Sequence, residues 1–279
     1  MFFCDMKGTL YIVSTPIGNL EDITLRALRI LKEVDLIAAE DTRHSLKLLT
    51  HFNIRKPLVS YWGEKEKVKA EETLQRLKDG QSVALISDAG TPGISDPGTV
   101  LIGKAIEQGI RVVPVPGPSA VITALSLSGF PTEEFTFCGF LPAKETQRRK
   151  SLERISLEQR TLVFYEAPHR ILETVTDMAG MMGERNVVVI RELTKLHEEV
   201  FRGTVPVVLD SLEHSTIAGE YVIILEGRPE KGELHMDDAL REVRELMRKG
   251  LGRKESAKKI GGAYGLSKKE LYDRSLEGE

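Results

Sequence analysis

Cysteine is scarce in this sequence, which contains only Cys4 and Cys138 among its 279 residues. Two cysteines provide no disulfide framework, and their spacing is not that of a zinc site. No cluster of His, Cys and Asp with the spacing of metal ligands occurs elsewhere in the chain. We therefore expect a protein of the reduced cytoplasm that needs no metal ion.

Long hydrophobic runs are also missing. No apolar stretch approaches the roughly 20 residues that a membrane-spanning helix needs. Residues 1–8 lack a basic segment followed by a long apolar core, so we expect no signal peptide. Hydrophobic residues make up 41% of the chain and charged residues 29%, which is typical of a soluble globular protein. The length predicts about two domains.

The glycine pattern G-x-G-x-x-G does not follow the first predicted strand. A dinucleotide site requires that pattern, because its glycines let the backbone approach the pyrophosphate. Glu40 is the single acidic residue that could bind a ribose in this region. The sequence therefore argues against a nicotinamide or flavin cofactor.

Glycine and proline are concentrated in one stretch, residues 87–98, which reads SDAGTPGISDPG. It follows an apolar run that predicts a buried strand and precedes a segment with helical spacing of apolar residues. Glycine permits positive φ and close approach of a ligand, whereas proline fixes φ. Open α/β sheets bind ligands at the carboxyl ends of their strands. We therefore expect residues 87–98 to form a ligand-binding loop, in which Asp96 caps the next helix and Pro97 is its first residue.

Short β-branched runs alternate with amphipathic segments, which predicts an α/β fold. The first five strands should form a parallel sheet with helices on both faces, and Asp22 is a plausible cap for the first helix. A second α/β pattern follows, and its last two strands suggest an antiparallel portion. The predicted strands are 9–14, 35–39, 57–60, 82–86, 110–115, 135–140, 161–165, 186–190, 199–205 and 221–225.

The chain carries a formal net charge of −3, yet its last part is strongly basic. Glu255 is the only acidic residue among eight Lys and Arg residues between Arg248 and Lys269. Charge of one sign over short predicted helices is the electrostatic signature of a nucleic-acid-binding surface. The alternative is a solvated charged bundle. The residues that we expect to bind RNA are Arg253, Lys254, Lys258 and Lys259.

Six motifs, in this order and spacing, carry a family resemblance. The sequence resembles the tetrapyrrole-methylase superfamily, and within it the RsmI-type ribosomal RNA small-subunit methyltransferases, from about Gly8 to Leu225. The motifs are STPIGNL at 14–20, AEDTR at 39–43, the loop at 87–98, PGPSA at 116–120, YEAPHR at 165–170 and RELTK at 191–195.

This resemblance implies a class III methyltransferase with two αβα domains, S-adenosylmethionine in the cleft between them, and a homodimer. It implies transfer of a methyl group to the ribose 2′-hydroxyl of a cytidine in the decoding region of 16S rRNA. The domain limits that follow are 1–116 and 117–227, with a basic helical domain at 228–279. Two alternatives stay open, namely a methyltransferase for a small molecule such as a tetrapyrrole, and an RNA-binding module without catalysis.

The resemblance also implies which residues contact the cofactor. Ser87, Asp88 and Ala89 stand where the small-molecule enzymes of the superfamily have Gly-Asp-Pro, a departure that argues against a tetrapyrrole substrate. The implied contacts are Pro16, Asp88, Ala89, Gly90, Ile94, Ser95, Ser119, Ala120, Tyr165 and Leu193.

A ribose hydroxyl must lose its proton during or after its attack on the methyl group. Several polar side chains of the motifs could accept that proton, and the sequence leaves its acceptor unidentified. Arg43, Arg170 and Lys195 suit phosphate groups instead. The polar residues considered are Glu40, Asp41, Arg43, Glu166, His169, Glu192 and Lys195, and the catalytic candidates among them are Arg43, Glu166, Glu192 and Lys195.

Overall fold

A computed structural model of the chain describes residues 7–61, 66–228, 236–248, 250–264 and 266–276. Cys4 lies outside these residues, and so does Lys249, one of the eight basic residues counted above. The chain divides into two compact units, one ending at Gly227 and the other beginning at Arg228. The predicted α/β class with additional C-terminal helices is confirmed.

A five-stranded sheet of entirely parallel strands forms the first half of the first unit, in the order β3-β2-β4-β1-β5. Because β4 lies next to β1, the loops that follow these two strands emerge side by side. The strands are β1 (Thr9–Val13), β2 (Leu36–Ala39), β3 (Leu58–Ser60), β4 (Val83–Ile86) and β5 (Arg111–Val115).

Helices cover both faces of this sheet, as the sequence predicted. One core contains Ile30 and Leu49, from the first two helices, and the other contains Leu74 and Leu101, from the next two. The strands contribute to both cores because successive side chains point to opposite faces. The helices are α1 (Leu25–Glu33), α2 (Thr42–His51), α3 (Glu66–Lys78) and α4 (Thr99–Glu107).

The second half of the unit contains a mixed five-stranded sheet in the order β6-β7-β10-β8-β9. β6 and β7 are parallel, whereas β10 is antiparallel to both β7 and β8, and β9 is antiparallel to β8. The predicted antiparallel portion is therefore confirmed. The strands are β6 (Phe135–Phe140), β7 (Thr161–Glu166), β8 (Asn186–Arg191), β9 (Glu199–Thr204) and β10 (Tyr221–Leu225).

Helix α5 (Ala120–Ser128) joins the two sheets through a shared core. Val121 of α5 and Ile17 of the loop after β1 pack with Ile190 and Val222 of the second sheet. This contact holds the first loop against the second sheet. The opposite face of that sheet packs against helices, which are α6 (Glu145–Ile155), α7 (Ile171–Met182) and α8 (Val205–Glu213).

Two predicted helix caps are wrong. The N-cap of α1 is Thr24, whose side chain accepts a hydrogen bond from the Ala27 amide at 3.1 Å, so Asp22 is not the cap. The N-cap of α4 is Gly98, with φ of 137°, and no side chain caps this helix. This backbone conformation favours glycine. Asp96 and Pro97 therefore precede the helix.

The described residues of the second unit form a bundle of three helices, α9 (Met236–Arg248), α10 (Arg253–Tyr264) and α11 (Lys268–Leu276). Its core includes Leu240, Val243, Ile260 and Leu271. Ser267 precedes α11, and its hydroxyl accepts a hydrogen bond from the Glu270 amide at 3.3 Å. Within the described parts of both units, the helices are too short or too polar to cross a membrane.

Candidate functional site

A cavity of about 340 Å³ lies in the first unit, where loops of both sheets meet. Its walls come from the loops after β1, β4 and β8, from the start of α5 and from the end of β7. β10 begins at the same edge, because Tyr221 pairs with both Glu166, the last residue of β7, and Arg191, the last residue of β8. The volume falls in the usual range for small-molecule sites.

Two loops of the first sheet are bonded to each other at this cavity. The Thr15 amide donates to the Gly90 carbonyl at 2.9 Å, and the Gly90 amide donates to the Thr15 carbonyl at 3.1 Å. The buried Thr15 hydroxyl donates to the Ser87 carbonyl at 3.1 Å, and the Ser14 and Thr91 hydroxyls are 2.8 Å apart. Gly90 has φ of 77°, in the left-handed region. Residues 87–98 are thus held as a shaped loop.

Asp96 gives the cavity an acidic wall. Burial raises the pKa of the Asp96 carboxyl, the hydrogen bond with Ser87 works in the opposite direction, and the nearby Asp88 and Glu220 raise it further. Glu220 also lines the cavity. The arrangement favours a ligand that carries positive charge, because such a charge would offset the repulsion between these carboxylates.

Aromatic side chains form another wall. The ring of Tyr165 packs edge-on against Phe137 and Phe140, with centroids 5.0 and 5.7 Å away. Burial raises the pKa of Tyr165 to about 12, and the nearby Asp96 acts in the same direction. Tyr165 and Phe140 line the cavity. This wall suits a planar or apolar part of a ligand.

Glu166 borders the cavity, but its side chain is buried and fully engaged. One carboxylate oxygen accepts a hydrogen bond from the Ala167 amide at 2.9 Å. The other accepts from the Thr174 hydroxyl at 2.6 Å and from the Arg170 guanidinium at 3.2 Å. These bonds anchor the segment after β7 and occupy both carboxylate oxygens of Glu166.

The loop after β8 is held in an unusual conformation. Glu192 and Thr194 have positive φ, at 53° and 69°. Lys195 donates to the carboxylates of Glu192 and Glu220 at 2.8 and 2.9 Å. Burial works to raise the pKa of Glu192, but hydrogen bonds from Lys195 and the Glu220 amide outweigh it, so the pKa is lowered. The network positions Leu193, which lies between the strained residues and lines the cavity.

Most of the residues predicted to contact a cofactor meet in this cavity. Asp88 does not line the cavity. Its carboxylate accepts a hydrogen bond from the Asp41 amide at 3.1 Å. Pro16 is buried next to the cavity residue Ile17 and does not line it either. The predicted residues that line the cavity are Ala89, Gly90, Ile94, Ser95, Ser119, Ala120, Tyr165 and Leu193.

Among the catalytic candidates from the sequence, Glu166 lines the cavity, whereas Arg43, Glu192 and Lys195 do not. The Arg43 side chain is 89% exposed and pairs with Asp41 at 2.8 Å. Hydrogen bonds from Arg43 lower the pKa of Asp41 to about 2. The solvent-facing side of the Arg43 guanidinium is therefore accessible to an anionic ligand.

Sequence reasoning missed Asp96, Glu220 and Phe140 as lining residues. Asp96 lies inside the loop already singled out, so the concentration of glycine and proline was a usable signal. Phe140 ends a predicted strand next to the motif residue Tyr165 in the sheet. No sequence pattern indicated Glu220, because only the antiparallel pairing of β10 brings this residue to the edge of the sheet that borders the cavity.

A second cavity, of about 470 Å³, lies in the three-helix unit. Of the residues predicted to bind RNA, Lys254 and Lys258 line it, and Arg253 and Lys259 do not. Across the described ranges of both units, no group of three or more His, Cys, Asp or Glu side chains is placed to hold a metal ion.

Comparison with known sequences gives consistent matches. The family model described as tetrapyrrole (corrin/porphyrin) methylases matches residues 9–208. A protein of Halalkalibacterium halodurans named ribosomal RNA small subunit methyltransferase I is 46% identical, over 96% of this chain and 95% of its own length. A protein of the same name from Escherichia coli O157:H7 is 47% identical, over 97% of this chain and 96% of its own length.

Solved structures share the fold at low sequence identity. Diphthine synthase superposes with a TM-score of 0.61 and 15% identity, covering 78% of this chain and 90% of its own. Uroporphyrin-III C-methyltransferase from Thermus thermophilus, complexed with S-adenyl homocysteine, gives a TM-score of 0.56 and 19% identity. That match covers 78% of this chain and 97% of the other.

Proposed function

Because the chain belongs to the tetrapyrrole (corrin/porphyrin) methylases, we propose that it is an S-adenosylmethionine-dependent methyltransferase for small-subunit ribosomal RNA. The acceptor is the ribose 2′-hydroxyl of a cytidine in the decoding region of 16S rRNA. The observation that carries the proposal is the 46% identity, over 96% of the chain, to a protein named ribosomal RNA small subunit methyltransferase I.

The residues of the first cavity fit S-adenosylmethionine. Asp96 supplies negative charge beside apolar walls, which suits a sulfonium cation attached to an adenosine. Ser119 precedes α5 but makes no capping hydrogen bond to it, so its hydroxyl is available to the ligand. Tyr165 and Leu193 would border the adenosine, and Ala89 and Gly90 the methionine part.

When bound, S-adenosylmethionine supplies a methyl group on a positively charged sulfur, which is an activated leaving group. The chain's contribution is mainly alignment and exclusion of water, which together lower the barrier by several kcal/mol. The bonded loops at Thr15 and Gly90 hold one side of the cavity. The Glu192–Lys195–Glu220 network holds Leu193 on the other side.

The proton of the ribose hydroxyl needs an acceptor in the cavity. We assign this role to Asp96, because it lines the cavity and burial raises the pKa of its carboxyl, whereas Glu220, which also lines the cavity, is paired with Lys195. A carboxylate with a raised pKa is a stronger base. Glu166 is already bonded to three donors. With S-adenosylmethionine bound, the carboxylate of Asp96 would take the proton of the ribose hydroxyl while the methyl group passes from the sulfonium sulfur to the hydroxyl oxygen.

A transfer assay tests this function. Small ribosomal subunits that lack the modification are incubated with the protein and tritiated S-adenosylmethionine, and the RNA is digested to nucleosides. We expect the label in 2′-O-methylcytidine, and no label in subunits that already carry the modification. Label on a base, or no transfer to RNA, would contradict the proposal. Transfer to a tetrapyrrole alone would favour the small-molecule alternative.

The proposal also includes a homodimer that acts in the cytoplasm, where ribosomal subunits are available. Sedimentation equilibrium at the concentration used in the assay checks the dimer. A dimer mass is expected, and a fully active protein with the mass of one chain would contradict it.

Replacing Gly219 with Ala should weaken cofactor binding. Gly219 has φ of 75°, and a Cβ there would overlap the Glu192 carboxylate. Displacing Glu192 breaks its bonds to Lys195 and releases Leu193. We expect at least a tenfold loss of affinity for S-adenosylhomocysteine by calorimetry, equivalent to about 1.4 kcal/mol.

Gly129→Ala is the matched control. Gly129 has φ of 78°, but a Cβ there would have no neighbour within 4 Å. Both substitutions place Ala in the left-handed region, at a conformational cost of about 1–2 kcal/mol. The control should lose stability but keep its cofactor affinity. Equal affinities of the two variants for S-adenosylhomocysteine would show that the Glu192 contact does not position Leu193 in the cavity wall.

A further inference from the structure

The three-helix unit contains a cavity whose described lining is strongly basic. It is bordered by Lys254, Lys258, Lys268, Lys269 and Tyr272. The sequence indicated a basic surface over these helices, but the residues that it named for RNA binding all lie in α10, and Tyr272 was not among them.

Helical spacing explains how these side chains converge. Lys254 and Lys258 are four residues apart on α10, so they lie on one side of that helix. Lys268 and Tyr272 have the same spacing on α11. The adjacent faces carry Ile260 and Leu271, which are buried in the core of the unit. Packing of that core therefore turns both basic sides toward the same cavity.

Gly261 permits the close approach of the two helices. A Cβ at Gly261 would lie 2.9 Å from the Leu266 carbonyl oxygen and 3.0 Å from Cγ of Lys268. Contacts that short are not tolerated without movement of the backbone at the start of α11. The absence of a side chain at Gly261 thus brings the beginning of α11 against α10, next to Lys258.

The positive charge of the cavity is not neutralised by its described neighbours. No ion pair or side-chain hydrogen bond joins the four lysines to another residue that the structure describes. Glu270, the nearest acid in sequence to Lys269, pairs instead with Arg274 at 3.2 Å. Four ammonium groups around one cavity repel each other, and an anion inside would relieve that repulsion.

We propose that this cavity binds the backbone of single-stranded RNA, with one base stacked on the ring of Tyr272. Lysines act as point charges toward phosphates. The Tyr272 side chain is 37% exposed, so its ring is accessible. Stacking on an aromatic ring requires an unpaired base, which a duplex or a lipid surface does not offer. The inference rests on the proposed function only in naming ribosomal RNA as the natural ligand.

Neighbouring lysines of α10 provide a matched test. Lys258 lines the cavity, whereas Lys259, which is also exposed, does not. Binding of a fluorescent 12-nucleotide single-stranded RNA to the full chain is measured by anisotropy at several salt concentrations. Lys258→Gln should weaken binding about threefold and lower the slope of log affinity against log salt by about 0.7, the value for one phosphate. Lys259→Gln should change affinity less than half as much.

The aromatic contact has its own pair of variants. Tyr272→Ala should weaken binding about tenfold, because base stacking is lost, and Tyr272→Phe should stay within about twofold. All variants should bind S-adenosylhomocysteine like the unchanged protein, which verifies folding of the first unit. Circular dichroism of each variant should show unchanged helix content, which checks the three-helix unit.

Two results would overturn the inference. Equal losses for Lys258→Gln and Lys259→Gln would show that binding follows general charge and not the cavity. Tighter binding of a 12-base-pair RNA duplex or of phosphatidylserine vesicles, unaffected by Tyr272→Ala, would rule out a stacked base. The proposed function fails separately, through absence of methyl transfer to small subunits, and the oligonucleotide result does not depend on that assay.

Discussion

An Asp96→Asn variant should lose at least about 100-fold in the rate of methyl transfer, because proton transfer by a positioned group contributes roughly 10²–10⁴-fold. Asn has almost the same size and can still form hydrogen bonds, but it cannot accept the ribose proton. Single-turnover rates with saturating cofactor and unmodified small subunits measure the effect. Asp210→Asn is the control, because Asp210 is an exposed carboxylate on α8, away from the cavity.

The pH dependence follows from the environment of Asp96. Burial, followed by the charges of Asp88 and Glu220, raises the pKa of its carboxyl above the ordinary range for Asp. The reaction needs the ionised form, so activity should rise with pH as Asp96 loses its proton. The midpoint of this rise in activity should lie above the usual pKa of an Asp carboxyl. The Asp96→Asn variant should not show the rise. A variant that keeps its rate within twofold would contradict the role of Asp96 as proton acceptor.

An Asp177→Ala variant should lose about 3–5 kcal/mol of unfolding free energy, since removing one member of a buried ion pair leaves a charge without its partner. Arg148 lies in α6 and its side chain is only 2% exposed. Its Nε donates to Asp177 of α7 at 2.7 Å, and its guanidinium also donates to the Ala143 carbonyl at 3.2 Å. Urea unfolding followed by circular dichroism measures the loss.

Glu173→Gln is the matched control for this ion pair. Glu173 approaches the same guanidinium at 3.4 Å, but its side chain is 67% exposed. Water already screens that charge, so the substitution should cost less than about 1 kcal/mol. Adding Arg148→Met to Asp177→Ala should recover part of the loss, because the buried charge that has lost its Asp177 partner is removed. Similar losses for Asp177→Ala and Glu173→Gln would show that burial does not decide the effect.

Local sequence patterns were sufficient for the elements of this fold. Short apolar runs such as Val83–Ile86 identify strands, because few other structures bury four consecutive side chains. The motif loops after β1 and β4 were recognised from glycine and proline, whose backbone preferences are properties of single residues. The family resemblance likewise rests on short segments in order. These predictions needed no knowledge of which residues meet in space.

Helix starts were less predictable, because several residues compete for each cap. Asp96 is a good capping residue by type. Gly98 adopts φ of 137°, which an Asp disfavours, and the chain therefore enters α4 two residues later. Asp96 therefore does not cap the helix, and it lines the cavity instead. A preference of residue type could not decide between these two arrangements.

The sequence by itself determined the α/β class, the glycine- and proline-rich loop at residues 87–98 and the basic end of the chain, because each depends on residues that are neighbours in the chain. Only the tertiary structure decided which side chains share a site. Antiparallel β10 brings Glu220 to the cavity. The close approach at Gly261 joins Lys268 to Lys258, while Lys259 lies outside that cavity. Contacts of this kind depend on strand order and helix packing. Both are set jointly by residues that lie far apart in the chain.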